Sequence, residues 1–121
     1  MAWQFNSHTP VSKQITQKLR IDIVQNRYKM GSQFPTVRQL ALEAAVNPNT
    51  VQKALSALEA EGLLEAKGTV GRFVTSDEET VKRTKEKIEY EYISQVISDA
   101  SALGISTERL FQLLKERNEK L

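Results

Sequence analysis

Three observations predict a mainly α chain, a winged helix-turn-helix domain followed by a two-helix C-terminal dimerisation tail. Two short amphipathic stretches are joined by about three residues, Val46 to Pro48. Two β-prone runs then flank a tip bounded by Gly68 and Gly71. Behind them a long helical pattern is separated from a shorter one by Gly104. The first domain is expected over residues 1–75 and the tail over 76–121.

The elements follow in order. Thr9 is a cap candidate, and Pro10 suits the first helical position because its missing N–H would be unbonded there anyway. Val11, Ile15, Leu19 and Ile23 recur every four residues and build one apolar stripe, on a helix ending near Arg27. Trp3 and Phe5 alternate like a short strand that pads this helix. Thr36-Val-Arg-Gln39, after Pro35, is a capping box. Val37, Leu40, Ala41 and Ala44 then place a helix over about 37–45. Asn47-Pro48 repeats the start signal, and Val51, Ala54, Leu55 and Leu58 carry a second helix to about 61, where Gly62 closes it. Ala41, Ala44 and Ala45 are small enough to let the two helices approach closely.

Leu63 to Lys67 and Arg72 to Thr75 form the arms of a hairpin. Ser76-Asp-Glu-Glu79 is a further capping box opening a helix over about 77–103. Its stripe is Val81, Ile88, Tyr92, Val96, Ala100 and Leu103, widened by Ile93 and Ile97. Ser106 can cap a last helix to about 119, with Leu110, Phe111, Leu113 and Leu114 inside.

Composition excludes several functions. The 121 residues hold no cysteine and one histidine, His8, so thiolate chemistry is ruled out and a metal site is not expected. No carboxylate pair sits in a recognisable catalytic pattern, and neither an enzyme nor a cofactor is expected. No apolar run spans a bilayer. The opening Met-Ala-Trp-Gln-Phe-Asn-Ser-His lacks the basic head and apolar stretch of a secretory signal, so the chain is expected to be cytoplasmic. Residues 1–75 carry nine Lys/Arg and five Asp/Glu, whereas 76–121 carry eight and ten. A basic front and an acidic back suit a polyanion that meets the front alone.

With Val51, Ala54, Leu55 and Leu58 facing inward, the opposite face of that helix carries Asn49, Gln52, Lys53 and Ser56. Asn and Gln can pair with adenine, and Lys can reach guanine or a phosphate. A recognition helix enters the major groove N-terminus first, so Asn47, Asn49 and Thr50 lead. Asn47 has capping as its first role. Arg38 can fork onto a phosphate or join a surface ion pair, and Thr36 can offer its hydroxyl to a phosphate or only cap. At the wing tip Lys67, Gly68, Thr69 and Arg72 combine close backbone approach with positive charge. Double-stranded DNA is the expected partner, with a winged helix used only for protein–protein contact as the alternative. Such a module should present an apolar or acidic face instead.

Pro10-Val-Ser-Lys-Gln-Ile15, Gly31…Phe34-Pro-Thr-Val-Arg-Gln-Leu-Ala41, Asn47-Pro-Asn-Thr-Val-Gln-Lys-Ala-Leu55, Leu58-Glu59…Glu61-Gly-Leu63 and Gly68…Gly71-Arg-Phe-Val74 follow one another in order. Over about residues 10–75 this resembles the DNA-binding domain of the GntR family of bacterial transcriptional regulators. The Gly-Ile-Ser…Leu-Phe…Leu-Leu pattern at 104–114 resembles the tail of the YtrA subfamily. The resemblance implies that Thr36, Arg38, Asn49, Thr50, Lys53 and Gly68 fall on DNA-contacting positions. It also implies a regulator, usually a repressor. Many relatives have serine at Thr36, a conservative change, leucine at Phe34, a core swap, and a basic residue at Pro48 or Gln52, so the resemblance implies DNA binding but not which base sequence is bound.

A 46-residue tail cannot bury Val81, Ile88, Tyr92, Val96, Leu103, Leu110, Phe111 and Leu114 within one hairpin. Pairing with a second copy is expected, the alternative being that the tail folds back on its own winged helix. A homodimer presents two recognition helices about a two-fold axis, so the operator should be an inverted repeat. Two helices are too few to enclose a ligand cavity unaided. Any small-molecule effector would have to bind at the dimer interface or between tail and winged helix; Tyr90 and Tyr92 are candidates in that aromatics line pockets, with Tyr92 first an interface residue.

Overall fold

The computed structural model describes residues 3–120. The elements run α1 (Val11–Val24), α2 (Val37–Ala44), α3 (Pro48–Ala60), β1 (Leu64–Ala66), β2 (Arg72–Val74), α4 (Glu78–Ala102) and α5 (Thr107–Lys120). Packing divides the chain into two units, Met1–Lys85 and Glu86–Leu121.

In the first unit α3 lies against α1, α2 and β1. The stripe residues Ile15, Leu19 and Ile23 of α1 meet Leu40, Val51, Leu55, Leu58, Leu63 and Val74, all buried. Each such side chain contributes about 1.5–3 kcal/mol by leaving water. Trp3 and Phe5 are half-buried against this core with their ring centroids 6.5 Å apart, in irregular backbone rather than a strand.

Helix α1 departs from expectation at both ends. Pro10 is the cap residue and Thr9 supplies no side-chain cap. Instead Gln14 Nε2 donates back to the carbonyls of Thr9 at 2.8 Å and Asn6 at 2.9 Å. At the other end Asn26 turns left-handed at φ 63°, so the helix stops at Val24, short of Arg27. Arg27 folds back, its Nη1 2.8 Å from the buried Asp22 carboxylate, which also holds Lys18 Nζ at 3.1 Å.

The capping box of α2 forms as expected: Gln39 N–H donates to Thr36 Oγ1 at 3.1 Å, and Thr36 N–H donates to Gln39 Oε1 at 2.8 Å. Ala45, at φ 57°, makes the turn that sends the chain into α3.

Strands β1 and β2 pair antiparallel, Leu64 opposite Val74 and Ala66 opposite Arg72. Residues 32–34 add a third edge that the sequence pattern does not signal. Phe34 N–H donates to Arg72 O at 2.8 Å and Val74 N–H to Ser32 O at 2.9 Å, with Gln33 bridged to Phe73. Three residues between Gly31 and Pro35 are too few to show alternation. Phe34 is buried beside Tyr28, ring centroids 4.7 Å apart.

The cap of α4 is Asp77 rather than Ser76. Asp77 Oδ1 accepts from Glu79 N–H at 3.1 Å and Oδ2 from Thr80 Oγ1 at 2.8 Å. The Thr80 hydroxyl, then the Glu79 N–H, hold its carboxyl below the usual range. The boundary between units falls at 85 rather than 75. Val81, expected in a dimer interface, packs instead against the core of the first unit, because the first turns of α4 belong to that core.

In the second unit Ala100 is buried, and the chain reverses at Gly104. Ser106 Oγ accepts from Arg109 N–H at 3.1 Å, the cap expected for α5. Tyr92, Leu103, Phe111 and Leu114 are exposed, Leu103 by 78%. Ile88, Val96 and Leu110 are half-buried. Among the described residues no helix is long and apolar enough to cross a membrane.

Candidate nucleic-acid interface

The buried face of α3 settles what its other face shows. Val51, Ala54, Leu55 and Leu58 are buried, so Asn49, Gln52, Lys53 and Ser56 are exposed and Thr50 is half-exposed. Asn47 Oδ1 accepts from Asn49 N–H at 2.8 Å, so the Asn47 side chain is committed to capping. Among the described residues the Asn49 side chain has no such partner. Gln52 Nε2 donates to Ser56 Oγ at 3.2 Å, an exposed bond that a base edge can replace. Lys53 stands one turn from Asn49 and, among the described residues, has no acidic partner.

Arg38 is exposed in the first turn of α2 and, among the described residues, makes no ion pair. The surface pairing open in the sequence is therefore absent, and its charge remains available. Thr36 Oγ1 is occupied as an acceptor from Gln39 N–H, and its own N–H is taken by the Gln39 side chain. What Thr36 retains for a phosphate is its hydroxyl proton.

At the wing, Gly68, Thr69 and Lys67 are exposed. Gly68 sits at φ 55°, a left-handed turn that keeps the tip narrow. Lys67 Nζ lies 4.8 Å from the centroid of the Phe73 ring, so its ammonium rests on that ring in a cation–π contact while the residue stays exposed. Arg72 is placed differently. Its Nε donates to the Glu59 carboxylate, which turns the guanidinium toward α3 and offsets its charge. Arg72, expected at the DNA, ties the wing to the recognition helix in the free chain.

Sequence reasoning missed two further residues. Gln33 Nε2 donates to Val70 O at 2.9 Å, bracing the wing tip from the third edge. Glu59 is the acid that holds Arg72. Neither carries a local motif; both depend on pairing across chain separations that periodicity does not report.

A helix-turn-helix with a polar, partly basic second helix, followed by a glycine-tipped hairpin, defines the winged-helix class of DNA-binding regulators. Residues 11–74 match the family model "Bacterial regulatory proteins, gntR family". The chain belongs to the GntR family and is a transcriptional regulator with a DNA-binding domain. It is 29% identical over 116 residues to the uncharacterized HTH-type transcriptional regulator YhcF of Bacillus subtilis, covering 96% of each chain. It is 34% identical over 111 residues to the HTH-type transcriptional repressor YtrA of the same organism, covering 91% of this chain and 85% of that one. A solved GntR family transcriptional regulator from Listeria monocytogenes superposes with a TM-score of 0.88 at 29% identity, over 93% of this chain and 98% of the other. These relatives extend through the tail, so the likeness to YtrA-type regulators is not confined to the winged helix.

Proposed function

We propose that the protein is a cytoplasmic repressor that binds an inverted-repeat operator as a homodimer. The observation that carries DNA binding is the outward face of α3, where Asn49, Gln52 and Lys53 are exposed beside Arg38, which is unpaired among the described residues. Asn49 and Gln52 are assigned to base edges. Arg38, Lys53, Lys67, Thr36 and the backbone around Gly68 and Thr69 are assigned to phosphates and sugars.

The homodimer reading rests on the second unit. Tyr92, Leu103, Phe111 and Leu114 leave an apolar set exposed on a piece too small to cover it. A second copy with the same set is the self-complementary solution. Repression is supported by the likeness to the B. subtilis transcriptional repressor YtrA.

A salt titration on a selected duplex tests the reading. Affinity should fall with ionic strength, with a log–log slope of about −0.9 for each phosphate neutralised. Arg38→Ala should weaken binding to all sequences and lower that slope by about one such unit. A flat response would point to a protein partner instead.

A further inference from the structure

The wing is braced from two sides. On one side Arg72 of β2 is bound by Glu59 of α3. On the other, Gln33 Nε2 donates to the carbonyl of Val70 at 2.9 Å, from the edge segment that hydrogen-bonds β2 through Phe34 and Ser32. The turn closes on itself as well: Val70 N–H donates to Lys67 O at 3.1 Å, and Lys67 N–H to Gly71 O at 2.9 Å. Gly71 holds φ 118°, a backbone that strains any other residue, although a Cβ there would meet Gln33 Nε2 at an ordinary 3.5 Å.

These bonds hold Val70 outward. It is the one apolar side chain in the 67–71 turn, and it is 63% exposed. A valine at that place gains nothing from phosphate charge. It gains from being buried against the apolar edges of deoxyriboses, and only when the tip sits at the right depth.

We propose that Gln33 is a positioning residue for DNA binding: its amide pins the wing tip so that Val70 seats against the sugar wall of the groove beside the α3 site. This rests on the DNA-binding reading above. The bonded partner is a backbone carbonyl, so Gln33 controls where the tip lies whatever its side chains are. No charge is involved, which separates this contribution from that of Arg38, Lys53 and Lys67.

The test uses the full chain and a duplex selected by the wild type, with affinity followed by fluorescence anisotropy across a salt series. Val70→Ser should weaken binding roughly tenfold by exposing two methyl groups' worth of contact. Gln33→Leu should give a comparable loss, and the double variant no more than the larger single loss, because Gln33 acts through Val70. Val70→Ser should keep the wild-type salt slope, since it removes no phosphate contact, whereas the Gln33 variants, which free the turn that carries Lys67, should lower the slope by no more than about one phosphate. Gln33→Asn, which keeps an amide one methylene short, should behave as Gln33→Leu does and guards against a folding defect. Unchanged affinity of both Gln33 variants, additive losses in the double variant, or a reduced slope for Val70→Ser would overturn the proposal while leaving DNA binding intact. If the wild type shows no salt-dependent binding to any duplex, the DNA-binding reading fails first and this inference falls with it.

Discussion

Arg72 and Glu59 form an ion pair that joins the second wing strand to the recognition helix. Both side chains are part-exposed, so the pair is worth no more than about 0–1 kcal/mol to stability. Its effect on charge is larger. Glu59→Gln should leave the melting temperature nearly unchanged yet release the Arg72 guanidinium. Binding to random duplex should strengthen at low salt, with a slope steeper by about one phosphate. An identical slope in the variant would mean that Arg72 stays turned toward α3.

Two neighbouring asparagines should separate cleanly. Asn47→Ala removes the cap of α3 and should cost about 1 kcal/mol of folding stability. Asn49→Ala should leave stability alone and cost about 1–3 kcal/mol of affinity on the selected duplex but little on random DNA. Chemical denaturation and anisotropy on the same samples check both. Equal losses on both duplexes would make Asn49 a backbone contact.

The apolar set on the tail makes a direct prediction about assembly. Leu103→Glu or Phe111→Glu places a charge where a second copy is proposed to lie. Either should convert a dimer to a monomer in sedimentation analysis, with helicity retained because both side chains are exposed in the single chain. Val81→Ala should instead lower stability, since Val81 packs on the winged-helix core. An unchanged sedimentation coefficient for both tail variants would remove the tail from the interface.

Tyr28 predicts an alkaline limit. Burial, then the carboxylates of Asp22 and Glu43, push its phenol above the ordinary value. The folded state thus holds the proton more tightly than the unfolded one. The stabilisation is complete below the unfolded pKa of about 10 and is lost as pH rises through the raised folded value. Tyr28→Phe should abolish that part of the loss above about pH 10 in thermal melts, and a melt profile that declines as before would assign it to lysines.

Much of this architecture was legible because its signals are local. The Thr36–Gln39 box, the Asn47 cap and the fourfold spacing of Ile15, Leu19 and Ile23 act within a turn or two of helix. So the helices and the outward face of α3 followed directly from the sequence. What escaped depends on long-range partners. Ser32–Phe34 becomes a strand edge only because β2 accepts it, and Arg72 changes role only because Glu59 is near. The shift of a helix start from Ser76 to Asp77 has another cause: adjacent residues compete for one cap, and a carboxylate accepting from both Glu79 and Thr80 satisfies more donors than a single hydroxyl.

Because Val81 is anchored in the winged-helix core, the opening of α4 is shared property rather than spacer. Cutting the gene after codon 75 would amputate that buttress and yield a frayed fragment. A hybrid regulator carrying a foreign sensor or assembly module would have to be spliced beyond Lys85, in helical phase, to inherit an intact reading head.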